Sequence, residues 1–63
     1  MKIKRNETYG AFVKRIRQTA KLTQTEFAHR IGFTSRTISA WEGGANVPLY
    51  SQRIVDEFAK TIK

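Results

Sequence analysis

The apolar residues of this 63-residue chain recur at intervals of three and four, the period of an amphipathic α-helix. A first helix is predicted to begin near Thr8, with Asn6 or Thr8 as its cap, and to end at Lys21-Leu22. Its inward face is expected to consist of Phe12, Val13, Ile16 and Ala20. No alternation typical of a β-strand is sustained, which favours an all-α fold.

A threonine followed three residues later by a glutamate marks the start of a second helix. The segment Thr23-Gln24-Thr25-Glu26 matches a capping box, and Gly32 is placed to end the helix. The apolar face predicted for this short helix consists of Phe27, Ala28 and Ile31.

A third helix is predicted to follow directly. Thr34 or Ser35 is its expected cap, Ile38 and Trp41 are its expected inward residues, and Gly43-Gly44 ends it. Trp41 shares a face with Ile38, so core packing is favoured over the alternative that its ring stacks on single-stranded bases.

The C-terminal segment predicts a fourth helix. Pro48 suits its first turn, and the apolar pattern extends the helix almost to the C-terminus. Its apolar residues are Ile54, Val55, Phe58, Ala59 and Ile62. We therefore expect a compact bundle of four short helices, with a fifth as the alternative, over residues 8–63, preceded by a basic arm at residues 1–7.

The basic residues are concentrated in the first part of the chain. Lys and Arg number 12 against 5 Asp and Glu, a formal charge of +7. Residues 1–36 hold nine of the bases and two of the acids, so the whole excess lies there. This balance favours a polyanionic partner, and ordinary solubility is the alternative explanation.

The residue types needed for catalysis or metal binding are scarce. There is no cysteine and one histidine, and Asp56-Glu57 are neighbours that point in different directions on a helix. Apolar runs reach only two or three residues, too short to span a membrane. We expect neither an enzyme nor a metal, cofactor or small-molecule site.

The second and third helices meet the requirements of a helix-turn-helix. Two helices that cross at about 90–120° need a small residue at the crossing and a turn residue that tolerates positive φ. Ala28 and Gly32 stand four residues apart in these two roles. The residues spaced to share one core are Phe27, Ile31, Phe33, Ile38 and Trp41.

The same region resembles the phage-repressor/Cro type of helix-turn-helix domain, also called the XRE-like family. The resemblance covers roughly residues 9–59 and rests on Leu22-Thr23-Gln24, Glu26-Phe27-Ala28, Ile31-Gly32, Thr37-Ile38-Ser39, and Trp41-Glu42-x-Gly44 followed by Pro48. It implies a lambda-repressor-like fold that binds double-stranded DNA with its third helix in the major groove. It also implies a bacterial or phage transcription regulator in the cytoplasm.

The resemblance assigns candidate contacts to DNA. Gln24 matches the glutamine that contacts phosphate at the start of the second helix. The family's base-reading positions fall on the exposed N-terminal part of the third helix. A helical wheel with Ile38 and Trp41 inward agrees, and the candidates are Arg36, Ser39 and Ala40, with Ser35 at the margin. Arg36 is expected to read guanine, with a phosphate contact or a solvated side chain as the alternatives. Further candidate phosphate contacts are Thr34, Thr37, Asn46 and the arm residues Lys2, Lys4 and Arg5.

Glu42 is expected to need a cationic partner or exposure to water. A carboxylate in the last turn of a helix lies at the negative end of the helix dipole. The resemblance implies that Arg17 of the first helix pairs with Glu42, and its guanidinium can bind a carboxylate through two hydrogen bonds.

Two alternatives to a DNA-binding regulator remain at this point. One is a small antirepressor that binds a partner repressor protein, which the small side chains of the third helix favour. The other is a basic peptide that binds RNA or membranes without specificity. The chain ends where family members often begin a dimerising fifth helix, so at most a weak homodimer is expected, through Phe58 and Ile62.

Overall fold

The protein, described by a computed structural model over residues 1–62, forms four α-helices. They are α1 (Tyr9–Thr19), α2 (Gln24–Ile31), α3 (Ser35–Glu42) and α4 (Leu49–Ala59). No strand occurs in the part of the chain that the structure describes, and the predicted all-α fold is confirmed.

Threonine side chains cap the first three helices. The hydroxyl of Thr8, rather than the side chain of Asn6, accepts a hydrogen bond from the Ala11 amide at the start of α1. At α2 the predicted capping box is complete: the Thr23 hydroxyl accepts from the Glu26 amide, and the Glu26 carboxylate accepts from the Thr23 amide. Thr34, rather than Ser35, caps α3. Each cap satisfies a backbone N–H that the helix leaves unpaired.

The turn between α2 and α3 depends on Gly32, as its position in the sequence predicts. Gly32 adopts the left-handed conformation with φ of 82°, which glycine reaches without steric cost. The amides of Gly32 and Phe33 both donate to the carbonyl of Ala28, which closes α2 and directs the chain into α3.

The fourth helix is shorter than its apolar pattern predicts. It ends at Ala59, so Ile62 lies beyond it. The Thr61 and Ile62 amides donate to the carbonyls three residues earlier, and the Thr61 hydroxyl also donates to the Phe58 carbonyl. This tighter turn replaces the continuing α-helical bonds. Pro48 lies one position before the helix, as its N-cap residue.

A single core is shared by the four helices. Its fully covered side chains come mainly from α1, α2 and α3, while α4 contributes the buried row Ser51, Val55 and Ala59. The buried apolar residues are Phe12, Val13, Ile16, Phe27, Ala28, Ile38, Trp41, Val47, Val55 and Ala59. The rings of Phe27 and Phe58 meet edge to face, 5.2 Å apart, and join α2 to α4.

Several residues expected in the core lie at its margin. Ala20, Ile31 and Phe33 are only half-buried, because they stand at helix ends or in the turn, where neighbours cover one side. Phe33 packs edge to face on Trp41 with the ring centres 5.0 Å apart. On α4 the half-buried apolar residues Ile54 and Phe58 flank the buried row.

Helix α1 crosses the C-terminal end of α3 at Gly10. Gly10 is buried, and a Cβ atom built there would overlap the carbonyl oxygen of Trp41 and approach the Cα atom of Glu42. The obstacle is backbone, which cannot rotate out of the way as a side chain can. Only glycine therefore allows α1 and α3 to pack this closely.

Gly10→Ala is expected to lower the free energy of unfolding by about 2 kcal/mol or more, since it overpacks a backbone contact. The matched control is Gly43→Ala, where the new Cβ lies 3.3 Å from the Ser39 carbonyl oxygen at an exposed position with φ of −84°. Urea denaturation followed by circular dichroism should show a smaller loss, within about 1 kcal/mol, for the control. Equal losses would contradict the close packing of α1 on α3.

Candidate nucleic-acid interface

The outward face of α3 is formed by Ser35, Arg36, Ser39 and Ala40, which are all exposed. On the opposite side of the helix Ile38 is 0% exposed and Trp41 is 4% exposed. The predicted division of α3 into inward and outward residues is confirmed. This face offers one guanidinium, two hydroxyl groups and one methyl group to a ligand.

The two threonines at the start of α3 bond to each other. The Thr34 hydroxyl accepts from the Thr37 amide, and the two hydroxyl oxygens lie 3.0 Å apart. Thr34 is exposed and Thr37 is half-buried. Both hydroxyls therefore help to define the start of α3. A phosphate that binds either hydroxyl would do so while that hydroxyl also takes part in the cap.

The C-terminal end of α3 is tied to α1 by an ion pair between Arg17 and Glu42. The Arg17 Nε atom lies 2.7 Å from Glu42 Oε2, and Nη2 lies 3.1 Å from Oε1. A third nitrogen, Nη1, donates to the Leu22 carbonyl at 2.9 Å. The hydrogen bonds to Glu42 raise the pKa of Arg17. The pair offsets the unfavourable position of a carboxylate at a helix C-terminus.

Gln24 joins the same group. Its Nε2 atom donates to Glu42 Oε1 at 3.2 Å, which links the first residue of α2 to the last residue of α3. Gln24 is half-buried. Arg17, Glu42 and Gln24 thus form one hydrogen-bonded network, the Arg17–Glu42–Gln24 network, across three helices.

Residues 1–7, the predicted basic arm, are docked on the body of the protein. The Glu7 carboxylate accepts two hydrogen bonds from the Arg15 guanidinium, both at 2.8 Å, and one from the Lys4 amide at 3.0 Å. Arg15 also donates to the Lys2 carbonyl at 2.7 Å, and the Met1 amino group lies 3.4 Å from the Ala59 carbonyl oxygen. The segment therefore lies against α1 and α4.

The side chains of Lys2, Lys4 and Arg5 are exposed on this docked segment. Lys2 lines a shallow groove together with Tyr9 and Asp56, between α1 and α4. The Tyr9 hydroxyl donates to Asp56 Oδ1 at 2.6 Å, and burial together with this carboxylate raises the pKa of Tyr9. These three bases thus belong to a region built by α1 and α4, not by α3.

Asn46 lies in the loop between α3 and α4 and is exposed. The loop is anchored by the buried side chain of Val47 and by Gln52, whose Nε2 atom donates to the Val47 carbonyl at 3.0 Å. Asn46 faces a groove that it shares with Thr8 and Gly10 at the start of α1.

A family model described as a helix-turn-helix domain matches residues 8–62 of the 63. The chain belongs to the helix-turn-helix domain family. The comparison with curated proteins and the comparison with solved structures each give no significant match. Assignment to the helix-turn-helix family supports a DNA-binding regulator, since the second helix of this motif enters the major groove in DNA-binding members.

Within residues 1–62 no helix is long and apolar enough to cross a membrane. The same residues contain no group of three or more His, Asp or Glu side chains close enough to hold a metal ion.

Some of the residues that organise the site are not evident from the sequence pattern. The pairing of Glu7 with Arg15 brings together side chains eight positions apart, outside the helical spacings. The hydrogen bond from Gln24 to Glu42 depends on how α2 packs on α3. Gly10 does carry a signal, because a glycine in the first turn of an otherwise regular helix often indicates close packing.

Glu42→Gln is expected to destabilise the protein by about 2 kcal/mol, since it leaves the Arg17 guanidinium, 15% exposed, without a counter-charge. The matched control is Glu57→Gln, which removes a pair with Lys60 whose side chains are more than 70% exposed. Such pairs contribute about 0.5 kcal/mol or less. Urea unfolding of both variants measures the difference, and equal effects would show that the Arg17–Glu42–Gln24 network does not hold α3.

The ion pair that docks the N-terminal segment is expected to make the folded state less stable in acid. Hydrogen bonds from Arg15 and from the Lys4 amide lower the pKa of Glu7 from 4.5 to about 2. The carboxylate therefore stabilises the folded state above pH 4.5, and this contribution falls as the pH drops from 4.5 towards 2. Thermal unfolding over this range should show a shallower decline for Glu7→Gln than for the parent protein, and identical slopes would contradict the docking.

Proposed function

We propose that the protein is a sequence-specific regulator of transcription that binds double-stranded DNA, of the phage or prophage repressor and Cro type. The recognition helix spans residues 35–41 and enters the major groove with its outward face towards the bases. The observation that carries this proposal is the exposure of Ser35, Arg36, Ser39 and Ala40 on one side of α3, while the other side is packed in the core.

The four outward residues differ in how much sequence information each can read. Arg36 can donate two hydrogen bonds to guanine O6 and N7, which discriminates against other bases by about 1–3 kcal/mol. Ser35 and Ser39 can reach bases or phosphates but distinguish bases poorly. Ala40 offers only a methyl group, which can contact the methyl group of thymine. Most of the discrimination is therefore assigned to Arg36.

Phosphate contacts would fix the orientation of α3. Gln24 is the first residue of α2, where unpaired backbone N–H groups and the helix dipole favour an anion. Its hydrogen bond to Glu42 joins it to α3, so a phosphate held by Gln24 would lie at a fixed position relative to the recognition helix. The remaining candidates are Thr34, Thr37 and Asn46, together with Lys2, Lys4 and Arg5 on the docked segment.

A second candidate function is that of an antirepressor that binds a partner repressor protein. It is favoured by the small side chains of Ser35, Ser39 and Ala40 on the outward face, which leave a single strong base-reading group. Co-purification with a repressor encoded nearby, without any DNA protection by the isolated chain, would favour this function over the first.

The proposed function is tested by a DNase footprint on the DNA that flanks the protein's own gene, at two salt concentrations. A discrete protected site that persists at the higher salt is expected for sequence-specific binding. Protection that spreads over all fragments and vanishes with salt would instead indicate non-specific attraction to phosphate.

Two substitutions separate base reading from phosphate binding at that site. Arg36→Ala removes both hydrogen bonds to guanine, so the protein's preference for the operator over a variant site without that guanine is expected to fall by about 5–150-fold. Gln24→Ala is expected to weaken binding to all sequences about equally. Titrations by fluorescence anisotropy measure both, and unchanged operator affinity in the two variants would contradict the proposed docking.

A further inference from the structure

The start of α4 presents two large apolar side chains to solvent. Leu49 is 67% exposed and Tyr50 is 70% exposed, the highest values among the large hydrophobic residues of the described chain. They lie on the side of α4 opposite the buried row Ser51, Val55 and Ala59. Packing against the rest of the chain therefore does not explain them.

The same side of α4 continues as a row of charged residues. Tyr50, Arg53, Glu57 and Lys60 follow one another at spacings of three, four and three, which places them along one line of the helix surface. All four residues are exposed. Within the row, Lys60 Nζ bonds to Glu57 Oε1 at 3.4 Å, and ion pairs as exposed as this one contribute little to stability.

This row is complementary to itself when two copies lie antiparallel. Position 55 is the midpoint between Arg53 and Glu57 and also the midpoint between Tyr50 and Lys60. A two-fold axis at that position therefore brings each Arg53 opposite Glu57 of the second copy, and each Lys60 opposite the ring of Tyr50. The first contact is an arginine–carboxylate pair and the second is a cation–π contact.

The parallel arrangement does not have this property. In a parallel pair each charged residue would face the identical residue of the second copy, which is repulsive. The antiparallel arrangement also places the positive end of one helix dipole beside the negative end of the other. Charge therefore selects one orientation for a second copy.

We propose that the outer face of α4 binds a second copy of this chain in an antiparallel, two-fold symmetric dimer. The contact area of one 11-residue helix falls below the roughly 1,200 Å² typical of stable interfaces, so the free protein dimerises weakly. Dimerisation itself does not depend on the proposed DNA-binding function, and the two can fail separately.

Sedimentation equilibrium of the full chain, from tens of micromolar to millimolar, tests the proposal. Arg53→Glu and Glu57→Arg are each expected to raise the dimer dissociation constant at least about tenfold, because opposite charges across the axis become like charges. An equimolar mixture of the two variants is expected to regain the association of the parent protein as a heterodimer, because attraction is then restored at both contacts.

Arg53 and Glu57 stand four residues apart in the same chain, so each single substitution also creates repulsion within its own helix. The mixture controls for this, because that repulsion is present in both variants while the attraction between copies is restored. Lys14→Glu, an exposed site on α1, makes the same change in net charge as Arg53→Glu but away from α4, and it is expected to leave association unchanged. Circular dichroism checks that each variant is folded. A parent protein that stays monomeric throughout, or a mixture that associates no better than its separate components, would overturn the proposal.

Discussion

The position of α3 depends on its contact with α1 at the C-terminal end of the helix. The missing side chain of Gly10 allows the backbone of Trp41 to pack directly on α1. Arg17 then holds the neighbouring Glu42 through two hydrogen bonds, and Gln24 adds a third from α2. Steric fit sets the distance between the helices, and the network ties down the last residue of α3. Burial of Ile38 in the core then leaves Arg36 facing solvent.

The same ion pairs reduce the number of basic side chains that are free to attract a polyanion, although the net charge is +7. Arg17 and Arg15 are held in ion pairs with Glu42 and Glu7 and are mostly covered, so both serve the fold. Exposed bases remain on each of the four helices, in the short segments after α1 and α4, and on the docked N-terminal segment. The attraction to a polyanion that the composition suggests is therefore spread over the surface, and at α3 it is represented by Arg36 alone.

The sequence alone predicts the helices and their caps well, because these features depend on neighbouring residues. Thr23 with Glu26, and Gly32 at the turn, are local signals, and the pattern around Ile38 and Trp41 correctly divides α3 into two faces. The end of α4 was not predictable in this way, since the apolar residue Ile62 fits the helical period although the chain turns more tightly after Ala59. The docking of residues 1–7 depends on the contact between Glu7 and Arg15, for which the segment before α1 folds back on the helix, and no local sequence pattern predicts that fold-back.

The central claim is that the outward face of α3, held in place by α1, meets DNA. Nuclear magnetic resonance of the isotope-labelled protein, titrated with a duplex that it binds, tests this most directly. The largest shifts are expected for the amides from Ser35 to Ala40, for the Arg36 Nε–H group and for the Gln24 side chain. A duplex that binds while these signals stay unchanged would contradict the account.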